Sequence, residues 1–299
     1  MLVLLSCAGG LSAGQSAQSI LHDGNTRSFQ VYLPEALAPG QQPALLLVLH
    51  GLRGSGERVA QLTGFNERAN RHGFIVVYPD SLGSRWNYLH GVPGAFEGPD
   101  DPGFLHEITD LLSASHNVDS ARRYVVGISN GGFMAQRLAC EARPRYAGFA
   151  SVAAGSYAAL PDNCERSAPI DALFVHGTED QLVPWQGKTV QDSSGYRQAV
   201  TLSLTDSLKF WAARNHCDAQ VDVRDLPESG RSAGTRVRVL ASRDCVAGSE
   251  VSLYAVIGGG HNWPGVEGAI APRIAGRVNL DIHASEVVWT FFDRPRQRP

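Results

Sequence analysis

No stretch of this 299-residue chain is rich in lysine and arginine, and 26 basic against 29 acidic residues leave a formal net charge of −3. A nucleic-acid partner calls for a stripe of positive charge, so its absence argues against that class of partner. No C-x-x-C occurs, and the five cysteines have no spacing that suits a zinc site, so no metal is expected. The glycine-rich loop His50–Gly56 lacks the Gly-Lys-Ser/Thr ending of a phosphate-binding P-loop. After the first residues, no run is long and apolar enough to span a membrane. There is no internal repeat, no Gly/Ser linker between domains and no second core. The chain as a whole is 43% hydrophobic and 18% charged, the balance of a globular protein able to build a full core.

Along the chain, apolar runs alternate with amphipathic stretches. Ala44–Leu49, Phe74–Tyr78, Tyr124–Val126, Ala147–Ala153, Asp171–Val175 and Val251–Ile257 read as strands covered on both faces. Thr26–Leu33 alternates as a half-exposed early strand. Glu57–Arg71, Asp101–Ser115, Phe133–Cys140, Thr201–Asn215 and Asp281–Phe292 read as helices, with Asp100 or Asp101 as a cap of the second. Val221–Arg224 and Arg236–Leu240 form a two-stranded excursion, and Gly187–Gly195 is a variable stretch. This pattern predicts an α/β protein: one doubly wound, mostly parallel sheet with helices on both faces. Residues 19–299 form one domain in this reading.

Residues 1–18 read as a signal or linker. Met1–Gly10 has a short apolar core followed by small residues, as at the end of an export leader, and Leu4-Leu5-Ser6-Cys7 is like a lipoprotein box with Cys7 as the lipidated residue. Secretion or a periplasmic location follows, with membrane attachment only through Cys7. Arg294, Arg296 and Arg298 lie in a proline-broken tail expected to be solvated. Cys140, Cys164, Cys217 and Cys245 make an even set suited to an oxidising compartment. Pairing Cys140 with Cys164 and Cys217 with Cys245 lets each bridge bracket one local segment.

The stretch with chemistry in it is Gly127-Ile128-Ser129-Asn130-Gly131-Gly132, between an apolar run and a helical segment. G-x-S-x-G at a strand-to-helix turn is a nucleophile elbow: it lifts the serine hydroxyl out of the sheet and aims the next N–H, that of Asn130, at a developing oxyanion. A serine hydroxyl needs a base to take its proton and an acid to orient that base. Glu179 and Asp180 end a strand and are adjacent, so only one can point at the site; residue pattern favours Asp180, while both could merely cap the turn before Pro184. Of ten histidines, His261 follows a strand, lies in a glycine-rich loop and comes after the acid in the chain. A second oxyanion donor would come from the loop after Leu49, where Gly51 permits close approach and Leu52 supplies an N–H. From Ser81 to Pro102 runs a long loop rich in Gly, Pro and aromatics. Trp86, Tyr88, Trp185 and Trp263 fall in loops where they could stack on an aromatic ring or a sugar, or simply close the core.

His50-Gly51, Gly127–Gly132, His176-Gly-Thr-Glu-Asp-Gln-Leu-Val-Pro184 and Gly258-Gly-Gly-His-Asn-Trp-Pro-Gly265 together resemble the secreted feruloyl esterase and polyhydroxybutyrate depolymerase family, over roughly residues 25–293. The resemblance implies an α/β-hydrolase fold, with Ser129 as nucleophile, Asp180 rather than Glu179 as acid, and His261 as base. It implies no cofactor. Asn262 departs from the threonine common in the family, and Leu52-Arg53 from its small or cysteine-containing residues, which bears on substrate preference. The expected activity is carboxylic-ester hydrolysis through an acyl-enzyme, on a small-molecule or polymeric ester. Feruloyl-type esters come first, because the chain leaves no room after residue 293 for a polymer-binding module; polyhydroxybutyrate depolymerase and acetylxylan esterase are the alternatives. Outside this class stand a peptidase with the same triad and a non-catalytic binding protein on a hydrolase fold. None of the three triad positions is substituted, which argues against the latter.

Overall fold

The computed structural model describes residues 13–35, 37, 40–89, 98–141, 145–165, 168–191, 197–267 and 272–295. Cys7, Arg296 and Arg298 lie outside the described residues, as does the stretch 90–97 of the aromatic loop. The strands are β1 (Gly14–His22), β2 (Asn25–Leu33), β3 (Ala44–Leu49), β4 (Phe74–Pro79), β5 (Arg123–Ile128), β6 (Gly148–Val152), β7 (Asp171–Gly177), β8 (Lys188–Gln191), β9 (Arg197–Thr201), β10 (Asp222–Asp225), β11 (Arg236–Ser242) and β12 (Val251–Ile257). The helices are α1 (Gly56–Thr63), α2 (Phe65–His72), α3 (Asp101–Ser115), α4 (Asn130–Ala139), α5 (Leu204–Arg214), α6 (Pro272–Ala275) and α7 (Ala284–Phe292).

Ten strands form one sheet in the order β1-β2-β4-β3-β5-β6-β7-β12-β11-β10. From β4 to β12 every neighbouring pair is parallel, and both flanks are antiparallel. The pleat explains the continuous apolar runs. Leu45, Leu47 and Leu49 of β3 face one core, with Phe104 and Ile108 of α3, Met134 and Leu138 of α4, and Trp211 of α5. Ala44, Leu46 and Val48 face the other, with Val59 of α1, Phe65 of α2, and Val288 and Trp289 of α7. A strand buried on both sides has no polar face to show, so its sequence does not alternate.

The chain leaves β3 toward β4 on one side and returns to β5 on the other. The loops after β3 and β5 therefore diverge at a topological switch point, the crevice where open α/β sheets place their ligands.

Several expectations are corrected. The helix expected over 57–71 is two helices: Gly64 takes a left-handed conformation (φ 60°), ending α1 and starting α2. The folded unit begins before residue 19, because β1 starts at Gly14 and pairs with β2 from Gly14↔Leu33 onward. Gly187–Gly195 contains a strand, β8, which pairs with β9. The two-stranded excursion is continuous with the main sheet, as β11 pairs along the whole of β12. Arg294 is not solvated tail: its guanidinium pairs with buried Asp171 and lies 3.3 Å from Glu250.

Both expected disulfides are present, Cys140–Cys164 and Cys217–Cys245. The second ties the segment after α5 to the loop after β11 and closes over β10 and β11. Replacing both Cys217 and Cys245 by serine should lower the unfolding free energy by about 3–4 kcal/mol, the chain-entropy value for a loop of this length, as read from urea melts without reductant.

Candidate active site

Ser129 sits between β5 and α4 at φ 56°, ψ −119°, a conformation that a residue with a side chain adopts only when its surroundings enforce it. They do so by crowding. A Cβ on Gly127 would stand 2.2 Å from the carbonyl of Gly131, and one on Gly131 would stand 2.4 Å from the carbonyl oxygen of Leu49. Gly132 is crowded by side chains instead, since a Cβ there would lie 2.6 Å from Ser151 Oγ and 3.0 Å from Ala154 Cβ. The turn is pinned by the Ser129 N–H donating to Val152 O (2.8 Å), and by Gly132 and Phe133 donating back to Ser129 O (2.9 and 3.2 Å). Ser129 is left half-buried at the N-terminus of α4, where first-turn N–H groups have no intrahelical partner.

The two adjacent carboxylates after β7 part company. Asp180 is buried, and its Oδ2 accepts from His261 Nδ1 at 2.7 Å. Its Oδ1 accepts from the amides of Leu182 (2.9 Å) and Val183 (2.8 Å), so the carboxylate is held at both ends. Glu179 turns outward to Arg277 (3.0 Å). The loop after β12 presents His261 through contacts with the segment that follows. The His261 N–H donates to Ala275 O (2.6 Å), and Asn262 Nδ2 donates to the carbonyls of Ala275, Gly276 and Arg277 (3.1, 3.3 and 3.0 Å). Gly260 is obligatory there, because a Cβ would meet Ala275 O at 1.9 Å. The structure thus joins Asp180 to His261, while the Ser129 hydroxyl makes no hydrogen bond to the imidazole. Such contacts often tighten only with substrate bound.

The loop after β3 lies against the elbow: a Cβ on Gly51 would be 3.5 Å from Ser129 Cβ. Leu52 is 57% exposed, and among the described residues nothing accepts its N–H. Arg53 adopts φ 59° and donates its N–H to Ser84 O (2.7 Å), locking this loop to the aromatic one. His50 is buried beneath. Its Nε2 accepts from the Ser81 amide (3.1 Å) and its Nδ1 faces Gly51 O (2.7 Å), so the proton resides on Nδ1. Burial pushes the pKa of His50 down, against the raising effects of the Gly51 carbonyl and of Asp80 and Asp101, and both contacts suit the neutral ring.

Two of the three tryptophans expected at the site edge are structural instead. Trp86 is 1% exposed; its Nε1 donates to His50 O (3.0 Å) and its ring packs on the His50 ring (4.9 Å). Trp263 is also 1% exposed, bonded to Ser285 Oγ and edge-on to Phe65. Both indole N–H groups find acceptors, and burying a large ring against the core leaves none of it for a ligand. Trp185 is half-buried, edge-on to His176 at 6.1 Å. Tyr88 is half-buried between Phe133 and Tyr157 (5.2 and 5.0 Å).

Sequence reasoning missed three supports. Asn130, expected to act only through its backbone, also clamps Trp86 with its side chain: Oδ1 accepts from the Trp86 amide (2.6 Å) and Nδ2 donates to Trp86 O (3.3 Å). Asp101, expected as a cap, is fully buried; it takes Arg27 (2.6 Å) on one oxygen and the Asn87 amide (2.7 Å) on the other. Asp100 is the residue that caps α3, through Gly103 N (2.8 Å). The third support is the His50 ring. The position of Arg27 in an otherwise half-exposed strand was the one available signal, since a buried guanidinium demands a carboxylate.

A family model described as esterase PHB depolymerase matches residues 27–183, just over half of the chain. Feruloyl esterase C of Emericella nidulans is 26% identical over 95% of this chain and 92% of its own length. Acetylxylan esterase A of the same organism is 28% identical over 46% of this chain and 43% of its own. Among solved structures, an acetyl xylan esterase from Aspergillus awamori superposes with a TM-score of 0.59 at 15% identity, covering 87% of this chain and 98% of that one. At that identity the likeness shows the fold, which is that of an α/β-hydrolase.

Asn130→Ala should lower the unfolding free energy by about 1–3 kcal/mol, because the part-buried Trp86 amide loses its acceptor. Asn130→Asp keeps that acceptor and should lose less. Paired urea melts of the two variants read the difference.

Proposed function

We propose, from the premise that this chain belongs to the esterase PHB depolymerase family, that its esterase activity is carried by Ser129, Asp180 and His261. The observation behind this reading is the 2.7 Å contact of His261 Nδ1 with a buried Asp180 whose other oxygen is already held by two amides. With Nδ1–H committed to Asp180, His261 keeps a lone pair on Nε2. That nitrogen takes the Ser129 proton as Oγ attacks the ester carbonyl. The Asn130 and Leu52 amides hold the oxyanion, each such donor being worth roughly 3–4 kcal/mol of barrier. The imidazolium then protonates the departing alcohol. A water, deprotonated by the same nitrogen, releases the acid from Ser129.

For substrate, the reading favours soluble aryl or acyl esters of the feruloyl type. Trp185 and Tyr88 support it, as the aromatic residues of the expected set that are not fully buried. Polyhydroxybutyrate oligomers and acetylated xylan remain the competing substrates. Residues up to Ala13 would act as an export leader, and the two disulfides suit an extracytoplasmic compartment.

Ser129→Ala should abolish turnover of methyl ferulate and labelling by a fluorophosphonate while the protein stays folded; retained turnover would end the reading. Parallel assays on a hydroxybutyrate oligomer and on acetylated xylan rank the substrates, and a faster rate on either would displace feruloyl esters. Asp180→Asn should cost roughly four orders of magnitude in kcat, as loss of the orienting acid does elsewhere. Glu179→Gln should stay within about fivefold, because exposed ion pairs contribute little.

A further inference from the structure

Behind the acid lies a second imidazole that the proposed chemistry does not use. His176, near the end of β7, is 1% exposed. Its Nε2 is 2.9 Å from Val183 O and 3.5 Å from Asp180 Oδ2, the oxygen that His261 contacts. A backbone carbonyl can only accept, so the proton sits on Nε2, which fixes the tautomer. Its Nδ1 is buried with no hydrogen-bond partner among the described residues.

From this geometry we infer that His176 is a positioning residue for the Asp180–His261 pair, a neutral imidazole whose Nε2–H closes the acid loop and lies beside Asp180 Oδ2, the oxygen that His261 contacts. This inference rests on the roles assigned to Asp180 and His261 above. The first part is mechanical. Val183 donates its N–H to Asp180 Oδ1 (2.8 Å) and receives the His176 N–H on its carbonyl. One residue of the loop is thereby gripped from both sides, and the carboxylate turns with it. The second part is electrostatic. At 3.5 Å Nε2 makes no hydrogen bond to Oδ2, because its proton goes to Val183 O, yet the polar N–H lies beside that oxygen among buried residues. It draws charge from the oxygen that would otherwise go wholly to His261.

The ring must stay neutral for this to work. A proton on Nδ1 would be buried without an acceptor, and an imidazolium beside Asp180 would compete with His261 for the one carboxylate. The groups facing His176 are Asp180 from the acid loop, His261 from the loop after β12 and the Trp185 ring. Burial, the largest influence, together with His261 lowers its pKa to about 4, against the raising effects of Asp180 and the Val183 carbonyl. Above that value the ring is uncharged, so it does not switch across the range in which esterases work. No proton needs to pass through it.

The test is the pH profile of kcat/KM for methyl ferulate in the wild type, His176→Phe, His176→Gln and Asp180→Asn. With Phe in place, His261 has Oδ2 to itself, so its proton is held more tightly. The acid limb should then move up by about half a unit, with a roughly tenfold fall in kcat/KM. His176→Gln can still donate from its amide to Val183 O, and should restore both toward wild type. A merely structural role would lower rate or stability and leave the acid limb in place. An acid limb that stays put or moves down in His176→Phe overturns the inference. If that variant does not fold, 15N NMR of the wild-type ring decides: a neutral Nε2–H tautomer between pH 5 and 8 supports the inference, and a charged ring or an Nδ1–H tautomer overturns it. Should Asp180→Asn keep full turnover, the catalytic reading fails and the role of His176 falls with it. An inactive Asp180→Asn beside an unshifted His176→Phe removes the role of His176 alone.

Discussion

Where β5 turns into α4, backbone touches backbone with no room for a side chain. Gly131 lies against the carbonyls of Leu49 and His50, and Gly127 against Gly131 itself. The close approach brings the end of β3 and the end of β5 into one crevice, so the loop carrying Gly51 and Leu52 runs beside Ser129. Any Cβ at these places would push the loops apart and relax the left-handed serine. The strain is maintained because the three surrounding strands are parallel and close-packed, buried throughout except at Arg123 where β5 begins.

Around that contact hydrogen-bonded polar groups form successive supports, with His50, Arg27 and Asp101 buried and Asn130 half-buried. His50 braces the loop after β3 from beneath, Trp86 braces His50, and Asn130 holds the Trp86 backbone. Arg27 and Asp101 then hold Asn87, one residue further along the aromatic loop. Burying an ion pair is costly unless its remaining hydrogen-bonding capacity is used, and here Asp101 spends its second oxygen on an amide. The aromatic loop is therefore fixed to the sheet at Trp86 and Asn87, and Tyr88 follows directly. On the far side of the crevice, Asp180 is treated in the same way. Glu179, one residue away, points its exposed carboxylate at Arg277 instead.

Two residues at which the sequence departs from the pattern of the family it resembles take part in this arrangement. Asn262 directs its amide to three carbonyls of the segment 275–277, an interaction a single hydroxyl has too few donors to make. Arg53, after His-Gly-Leu, contributes its left-handed backbone to the aromatic loop. Both residues act on the placement of loops beside Ser129 and His261.

Whereas β1 and β8 could not be read from residues alone, the central strands and their helices, the doubly wound sheet, the disulfide pairs and the elbow could. Each rests on local signals: apolar runs, glycines at fixed offsets and cysteines that bracket one segment. The break at Gly64 was legible only in hindsight, since a glycine inside a helical pattern does not say whether it will turn left-handed. Which of Glu179 and Asp180 faces inward was favoured by pattern and decided by packing, because neighbouring residues on a turn point in different directions. The fate of the tryptophans was decided by tertiary structure alone. A sequence shows that an indole sits in a loop, but burial depends on what the rest of the chain lays against it, and for Trp86 and Trp263 that is the His50 ring and Phe65. Sequence thus determined the kind of chemistry, through spacings that a strand-to-helix turn requires. Tertiary structure decided which side chains remain free to meet a substrate, because that depends on contacts between residues far apart in the chain.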